Sequence, residues 1–560
     1  MISYKNKYKK YKQKYLLLKN GIKNEEDNYK NKNEYETKKF IKQKYRFNLN
    51  EELECKNNKK NYGIEYQTNP KFKKFDHIFF HAGDYDDFRK YGLDIIYKNF
   101  DKFNRNEIDL SKNIYKNFNI KISDLYNQIN FEAIKNNFSY YFDKLKKCIF
   151  VAIKDNKLLV FLPFSNANYS NDFMEYLYFD NNDRENLQEL NLLNNKKNKN
   201  KDDYDRIKVL KDLTFNRVNK FNKENRNRVL HDRSKWVANN CLFRNNYPEY
   251  EGEKLIAEYE WLLSNLLKNR KIPDIMFFLN VRDHLYLKDD LTEPYNFIYE
   301  SDNKKIDKKY IFDSYLPLLS SCSKKSYSDL PIPTTDDIQR ISGILFASTC
   351  NKSYSNDESN NMVTDWNVKK NKAIFMGTAT GCGTDIENNM RLKAASISQS
   401  YPDELLVGIT DWNWRLKKSK NGPLKLLNLK EISFKLSKPI SRKEISEYKY
   451  ILYIDGHVSA WRLSFDLSYN SVPLIVKSDY YLWFSKLLKP YEHYVPIESD
   501  LSDLIKQIRW CKSNDKKCQE IAKNAKIFYD KYLSKEGIFD YMQSLFVKLS
   551  SRFTSNFISN

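Results

Sequence analysis

The chain has 560 residues and a mass of 67.2 kDa, with 41% hydrophobic and 15% aromatic residues, so it can bury real cores and is too long for a single one. Lys and Arg (96) exceed Asp and Glu (73), a net charge of +23 that favours anionic partners, yet the lysines form no aromatic-interleaved stripe and no nucleic-acid module motif appears. No apolar run has the length of a membrane span, and the eight cysteines form no CxxC pair, which argues against a zinc ribbon or a disulfide framework and for a reducing compartment.

Residues 1–72 are rich in Lys and Asn and read as a helical or disordered extension. From about 73 the pattern turns globular, with a strand and turn in KFDHIFFHAG. His77 and His81 flank IFF there, and Asp84 and Asp86 form an Asp-x-Asp triplet. Neither has the further ligands a metal needs, so no metal site is expected. CIFVAI and LLVFLPF alternate as a hairpin would. The lysine-rich stretch 194–226 reads as a solvated insertion. An amphipathic helix is predicted over 251–270, with Leu255, Tyr259, Leu262, Leu263 and Leu266 on one face, ended by the approach to Pro273. A buried strand follows over Ile275–Val281, and it runs straight into Arg282-Asp283-His284.

The Ser/Asn/Asp-rich region 330–370 looks like a crossing between two lobes. Beyond it, strands are predicted at 372–376, 404–409, 449–454 and 472–476. Helices are predicted near 385–398, 457–469 and 500–533, with a last one at about 535–550. Short apolar strands alternating with helices argue for a parallel, doubly wound sheet. The fold class is α/β.

Three stretches of this second half could carry chemistry. FMGTATGCGTD (375–385) follows a strand directly, and a glycine-rich turn there can bring backbone N–H groups to phosphate oxygens. It is neither GxGxxG nor a P-loop, and taken alone such a turn is more often just a turn. Arg391 falls in the next helix and could reach back to that loop, but by itself it reads as a surface residue. In YKYILYIDGHVSAWRLSFDL (448–467) an apolar strand ends at Asp455-Gly456, then the small Ser459 and Ala460 precede Arg462. Small residues and an arginine at the carboxyl edge of a parallel sheet suit phosphate binding.

These segments resemble the protein O-glucosyltransferase (Rumi-like) and capsule-associated xylosyltransferase family. The resemblance rests on the 448–467 stretch, on Leu488-Lys489-Pro490-Tyr491-Glu492-His493-Tyr494-Val495-Pro496, on Phe375-Met376-Gly377-Thr378, on Asn389 to Arg391 and on YLPLLSSCSKKSYSDLPIP (315–333). It also covers Asn280-Val281-Arg282-Asp283, where the family's aspartate is the catalytic base. The resemblance thus implies a GT-B-like fold of two Rossmann-type lobes, an acceptor lobe at 73–340 and a nucleotide-sugar lobe at 341–550. It implies an inverting transfer of glucose or xylose from a UDP-sugar to a hydroxyl of a protein or glycan. Asp283 would be the base. Gly377, Thr378, Thr380, Arg391, Asp455, Gly456, Ser459, Ala460 and Arg462 would hold the donor, with Trp366 bordering its pocket. No cofactor beyond the UDP-sugar co-substrate and no metal are implied. The last helix would fold back on the first lobe.

The sequence departs from the pattern at Met376 and Ala379, where arginines are common in the family, and at His284, where tyrosine is common. These departures leave a second reading open: a sugar-nucleotide or glycan-binding protein without catalysis. A third, a basic virion or nucleic-acid-associated protein, has only the charge behind it. The opening MISYKNKYKKYKQKYLLLKN resembles the N-termini of giant DNA virus proteins. With no signal-peptide core visible, the expected location is the host cytoplasm or virus factory, or the virion, and not the secretory path.

Overall fold

A computed structural model describes most of residues 93–165, 189–210, 253–294, 304–342 and 363–558. The 1–72 extension, the strand expected in KFDHIFFHAG with His77 and His81, and the Asp84/Asp86 triplet lie outside the described residues. Within the lysine-rich stretch, residues 201–210 form a helix with most of its residues exposed. Asn200 and Asp203 explain the helix, since each side chain accepts the other's backbone N–H at the helix start.

The first sheet grows from an aromatic-rich segment. Helix α1 (Phe131–Tyr140) starts where the Asn130 side chain accepts the Ala133 N–H. Strands β1 (Lys147–Lys154) and β2 (Lys157–Ser165) form the expected hairpin. Asp155 and Asn156 both sit at positive φ (49° and 60°), the tight turn whose twist matches the strands it joins. Helix α2 (Glu253–Asn269) leads into β3 (Ile275–Asn280), every residue of which is buried. Two short strands, β4 (Leu318–Ser320) and β6 (Leu330–Pro331), complete the sheet, with β5 (Ser323–Lys324) set aside from it and α3 (Thr335–Ser342) following. The order is β2-β1-β3-β4-β6. β3, β4 and β6 are parallel, but β1 is antiparallel to both its neighbours. The sheet is therefore mixed and not the uniformly parallel sheet of a Rossmann-type lobe, because a two-residue turn can only return the chain antiparallel.

The second sheet is wholly parallel. It contains β7 (Lys370–Gly377), followed by α4 (Met390–Ser400), β8 (Leu405–Ile409), a small hairpin of β9 (Lys417–Ser419) and β10 (Gly422–Lys425), α5 (Arg442–Ser446) and β11 (Tyr448–Tyr453). After α6 (Leu463–Asp466) come β12 (Val472–Val476), the short β13 (Tyr480–Tyr481) and β14 (Val495–Ile497). The order β14-β12-β11-β7-β8 reverses direction between β7 and β11. In such sheets a ligand crevice opens at the carboxyl ends of the two strands flanking the reversal.

Helices α7 (Leu504–Ser513), α8 (Asp515–Tyr532) and α9 (Lys535–Ser550) close the chain. The helix expected over 500–533 is thus two, broken at Asn514. α9 lies on the first sheet: Phe546 stacks on Phe277 at 5.0 Å and the Tyr541 hydroxyl donates to the Pro331 carbonyl at 2.6 Å. Between the halves, β5 pairs with β13, and the Trp483 indole N–H donates to Asp337 at 2.9 Å. Among the described residues no helix is long and apolar enough to cross a membrane.

Candidate functional site

Asp283 stands one turn beyond the carboxyl end of β3, and its neighbours explain its position. The Asn280 side chain accepts the Arg282 N–H at 3.0 Å and donates to the His284 carbonyl at 2.7 Å. One asparagine thus folds the chain back on both sides of Asp283. Arg282 is buried and donates to the Leu145 carbonyl at 2.9 Å, so it braces the turn against the segment before β1. His284 is held neutral: burial, with the charge of Arg282 beside it, pushes its pKa down to about 4. The far end of the loop is held by Asp329, which accepts the Tyr286 and Leu287 N–H groups. Burial pushes the Asp329 carboxyl up to about 6 in spite of those bonds.

Across from this turn lie two loops of the second sheet, one after β7 and one after β11. Arg391 ties them together. Its guanidinium donates to the carbonyls of Thr378, Asp455 and Ile454, each at 3.0 Å, and to the Thr380 hydroxyl. Asn389 caps α4 by accepting the Arg391 and Leu392 N–H groups, which is why that helix starts at Met390 and not at 385. Burial and the neighbouring Arg462 charge bring the Arg391 pKa down to about 9. Gly456 is needed here: a Cβ would meet Thr380 Oγ1 at 2.9 Å and Arg391 Nη2 at 3.4 Å.

Arg462 stands at the head of a helix, immediately before Leu463, but that helix is shorter than expected. The helix predicted over 457–469 is reduced to α6, because residues 456–462 form an irregular loop in which the Ala460 N–H donates to Asp455 Oδ1 at 3.1 Å. Arg462 lies over the Phe375 ring at 4.4 Å and donates to the Met376 carbonyl at 2.6 Å and the Leu452 carbonyl at 3.0 Å. Both arginines therefore sit at the ends of β7 and β11, the strands that flank the reversal. They hold the crevice together and place positive charge at its floor.

A cleft of about 400 Å³ joins the two sides. Asp283 lines it from the first sheet; Thr380, Arg391, Gly456, Ser459, Ala460 and Arg462 line it from the second. Gly377, the last residue of β7, and Thr378 and Asp455 beside it in the loops are not part of that lining, and burial raises the Asp455 pKa. Trp366 is not brought there. It is 2% exposed in the second core, with its indole N–H on Asp515 at 3.1 Å and the Lys449 ammonium over its ring. The two departures from the arginine pattern are also placed away from the lining. Ala379 is fully buried in an apolar cluster with Leu392, Ala395, Ile409 and Leu427, and Met376 packs its thioether against Gly408.

Asp336, Asn413, His457 and Trp461 also line the cleft and were not singled out from the sequence. Asp336 opens α3, Asn413 follows β8, and Asn413 Oδ1 and His457 Nε2 approach to 3.2 Å. The Thr-Thr-Asp-Asp run at 334–337 was the available signal, since acidic residues at a helix start after a β-strand point towards an edge of the sheet. Among the described residues no group of three or more His, Cys, Asp or Glu side chains is placed to hold a metal ion.

A model of glycosyl transferase family 90 matches residues 203–558. The chain belongs to glycosyl transferase family 90. The matched part takes in α2, β3 and everything after them, so Asp283 and both loops of the second sheet fall within the family 90 region, while α1 and the β1–β2 hairpin precede it. Two viral proteins without assigned function are similar over most of this chain. Protein 179R of Invertebrate iridescent virus 6 is 36% identical over 86% of the chain and 42% of its own length. Protein 035R of Invertebrate iridescent virus 3 is 34% identical over 87% of the chain and 43% of its own length. The chain therefore spans less than half of these relatives. Protein O-glucosyltransferase 3 of Homo sapiens is 26% identical over 60% of the chain and 58% of its own length.

Proposed function

We propose that this family 90 chain is an inverting glycosyltransferase with a GT-B-like pairing of two lobes, and that it moves glucose or xylose from a UDP-sugar to a hydroxyl of a protein or glycan. The observation that carries the reading is the cleft in which Asp283 faces the Thr380 and Gly456–Arg462 loops. Transfer with inversion needs a base on the acceptor hydroxyl as it attacks the anomeric carbon, opposite the departing diphosphate. Asp283 supplies the base from one sheet. The strand-end arginines and the Thr380 and Ser459 hydroxyls supply positive charge and donors where the leaving group gains charge. The protein O-glucosyltransferase relative supports the sugar and acceptor class. Work in the host cytoplasm or virus factory is part of the same proposal, supported by the viral relatives.

The test is a panel of UDP-sugars, measured for hydrolysis and for transfer, with Asp283→Asn beside the wild type. Asn keeps the size and loses the basicity, so transfer should fall by roughly 10²–10⁴-fold while UDP affinity holds. Wild-type turnover in a folded Asp283→Asn protein would end the assignment of the base. UDP binding without turnover of any donor would favour the binding-protein reading. Because the arginines carry the charge at the floor of the cleft, transfer should also survive EDTA; loss restored by manganese would overturn that part.

A further inference from the structure

Asp329 is 1% exposed, 46 positions along the chain from Asp283, and its hydrogen bonds converge on the loop that carries Asp283. Asp329 Oδ2 accepts the Leu287 N–H at 2.8 Å and the Tyr286 N–H at 3.0 Å, and Oδ1 accepts the Tyr286 N–H at 3.1 Å. Oδ1 also accepts the Ser320 hydroxyl at 2.7 Å. That same Ser320 oxygen accepts from the Asn280 side chain at 3.1 Å. Asn280 in turn accepts the Arg282 N–H and donates to the His284 carbonyl. One carboxylate therefore grips the 281–285 loop at both ends: directly at Tyr286 and Leu287, and through Ser320 and Asn280 at its start. Burying a carboxylate on neutral donors is costly, and an apolar residue between β4 and β6 would pack at lower cost.

We infer that Asp329 is a positioning residue for the reaction, setting the place of the Asp283 carboxylate through Ser320 and Asn280. The inference rests on the reading of Asp283 as the base. A carboxylate is the group this network needs, since it accepts from three backbone or hydroxyl donors at once. Asn at 329 would turn an amide N–H₂ towards N–H or O–H donors and could not keep them all.

The test uses the full chain in a two-by-two cycle of Asp329→Asn and Asp283→Asn, with Ser320→Ala as a milder variant that leaves the carboxylate in place. Turnover per folded molecule, KM for the donor, UDP affinity and hydrogen exchange at 280–287 are measured. Asp329→Asn should lower kcat by roughly 10–100-fold, the scale of a misplaced reacting group, with donor KM and UDP affinity unchanged. Ser320→Ala should lower kcat by less and quicken exchange at 280–287. In the Asp283→Asn background, Asp329→Asn should add almost nothing, because the group it positions is already gone. Additive losses, a fall in UDP affinity, or wild-type kcat and exchange in Ser320→Ala would overturn the assignment. If Asp283→Asn itself keeps wild-type turnover, the base reading fails first and the positioning role falls with it. That outcome is distinct from an impaired Asp283→Asn with additive Asp329→Asn.

Discussion

At the scale of single residues, Arg462 shows how a site residue can also be a strut. Its guanidinium spans the carbonyls of Met376 and Leu452 on two neighbouring strands. Arg462→Ala should therefore lower stability by about 2 kcal/mol or more, since a bond from a charged donor is worth about 1.5–3 kcal/mol, and it should weaken UDP binding as well. Arg462→Lys should recover part of the UDP affinity, because the charge remains, but little of the stability, because the two-pronged donor is lost. Calorimetry and melting of both variants check this, and an unchanged melting temperature in Arg462→Ala would remove the strut. His284 gives a pH signature. Its folded pKa of about 4 lies below its ordinary 6.5, so it contributes stability that is full above pH 6.5 and is lost as pH falls towards 4. Asp329 and Asp466, both raised by burial to about 6, act in the opposite sense: their cost is relieved as pH falls through 6. The whole protein thus shows only the difference. Replacing His284 by Asn isolates one side of it. The stability gap between wild type and His284→Asn should shift in the variant's favour between pH 7 and pH 4.5, by roughly 2–3 kcal/mol; a gap constant with pH would mean that the imidazole is not held neutral.

At the scale of elements, the sites depend on where strands stop. The strand predictions at 372–376, 404–409, 449–454 and 472–476 match β7, β8, β11 and β12 to within two residues at either end, because short apolar runs between polar loops carry that information locally. The Asn280–Asp283 turn is legible for the same reason, as a contiguous motif ending a buried run. The region after β11 is not. Residues 457–462 look helical in composition, but Asp455 takes the Ala460 N–H and holds the segment in a loop, a contact local in sequence with no periodic signature. Asp336 and Asn413 were missed because α3 and the loop after β8 deliver them to the cleft, and Asp329 because its partners lie on a loop some forty positions earlier; both are properties of sheet order, not of spacing. The close joint between the loops after β7 and β11 is Gly456. Gly456→Ala must push the β11 loop away from Thr380 and Arg391, and Thr380 Oγ1 is itself fixed by Arg391. We expect UDP affinity to fall by about tenfold or more, while melting drops by only a few degrees, since roughly 1–3 kcal/mol of overpacking is involved. An Ala variant with wild-type affinity would show that the two loops do not act as one surface.

At the scale of the molecule, the second sheet has a core of its own, but the first core reaches across into the second half. The first core takes in Tyr453, Leu467, Leu482, Trp483 and Phe484 from the second half together with Phe277, Leu316 and Leu319 from the first. A buried polar knot runs through this shared core. Asp337 accepts from Trp483 Nε1, from the Thr334 N–H and hydroxyl, and from Arg340, which lies over the Tyr529 ring at 5.0 Å. Asp337 and Arg340 are 1% and 2% exposed. A chain of independent lobes would melt in two steps. A chain whose lobes share apolar contacts and a buried polar knot, with Asp337 and Arg340 on α3 met by Trp483 and Tyr529 from the second half, should melt in one, because opening either lobe exposes part of the other's core. Asp337→Ala leaves the Arg340 charge buried without its carboxylate and should cost about 3–5 kcal/mol. Trp483→Phe keeps an aromatic ring but loses the indole N–H and part of the bicycle from a buried site, so a cavity adds to the lost donor; Asp337 retains its Thr334 and Arg340 donors, and the cost should be about 1–3 kcal/mol. Differential scanning calorimetry of the three proteins decides between the arrangements. One transition that moves down as a whole in both variants, further in Asp337→Ala, is the expected result. Two resolved transitions in the wild type, or a variant that lowers one of them while the other stays, would mean that the knot joins the lobes without coupling their folding.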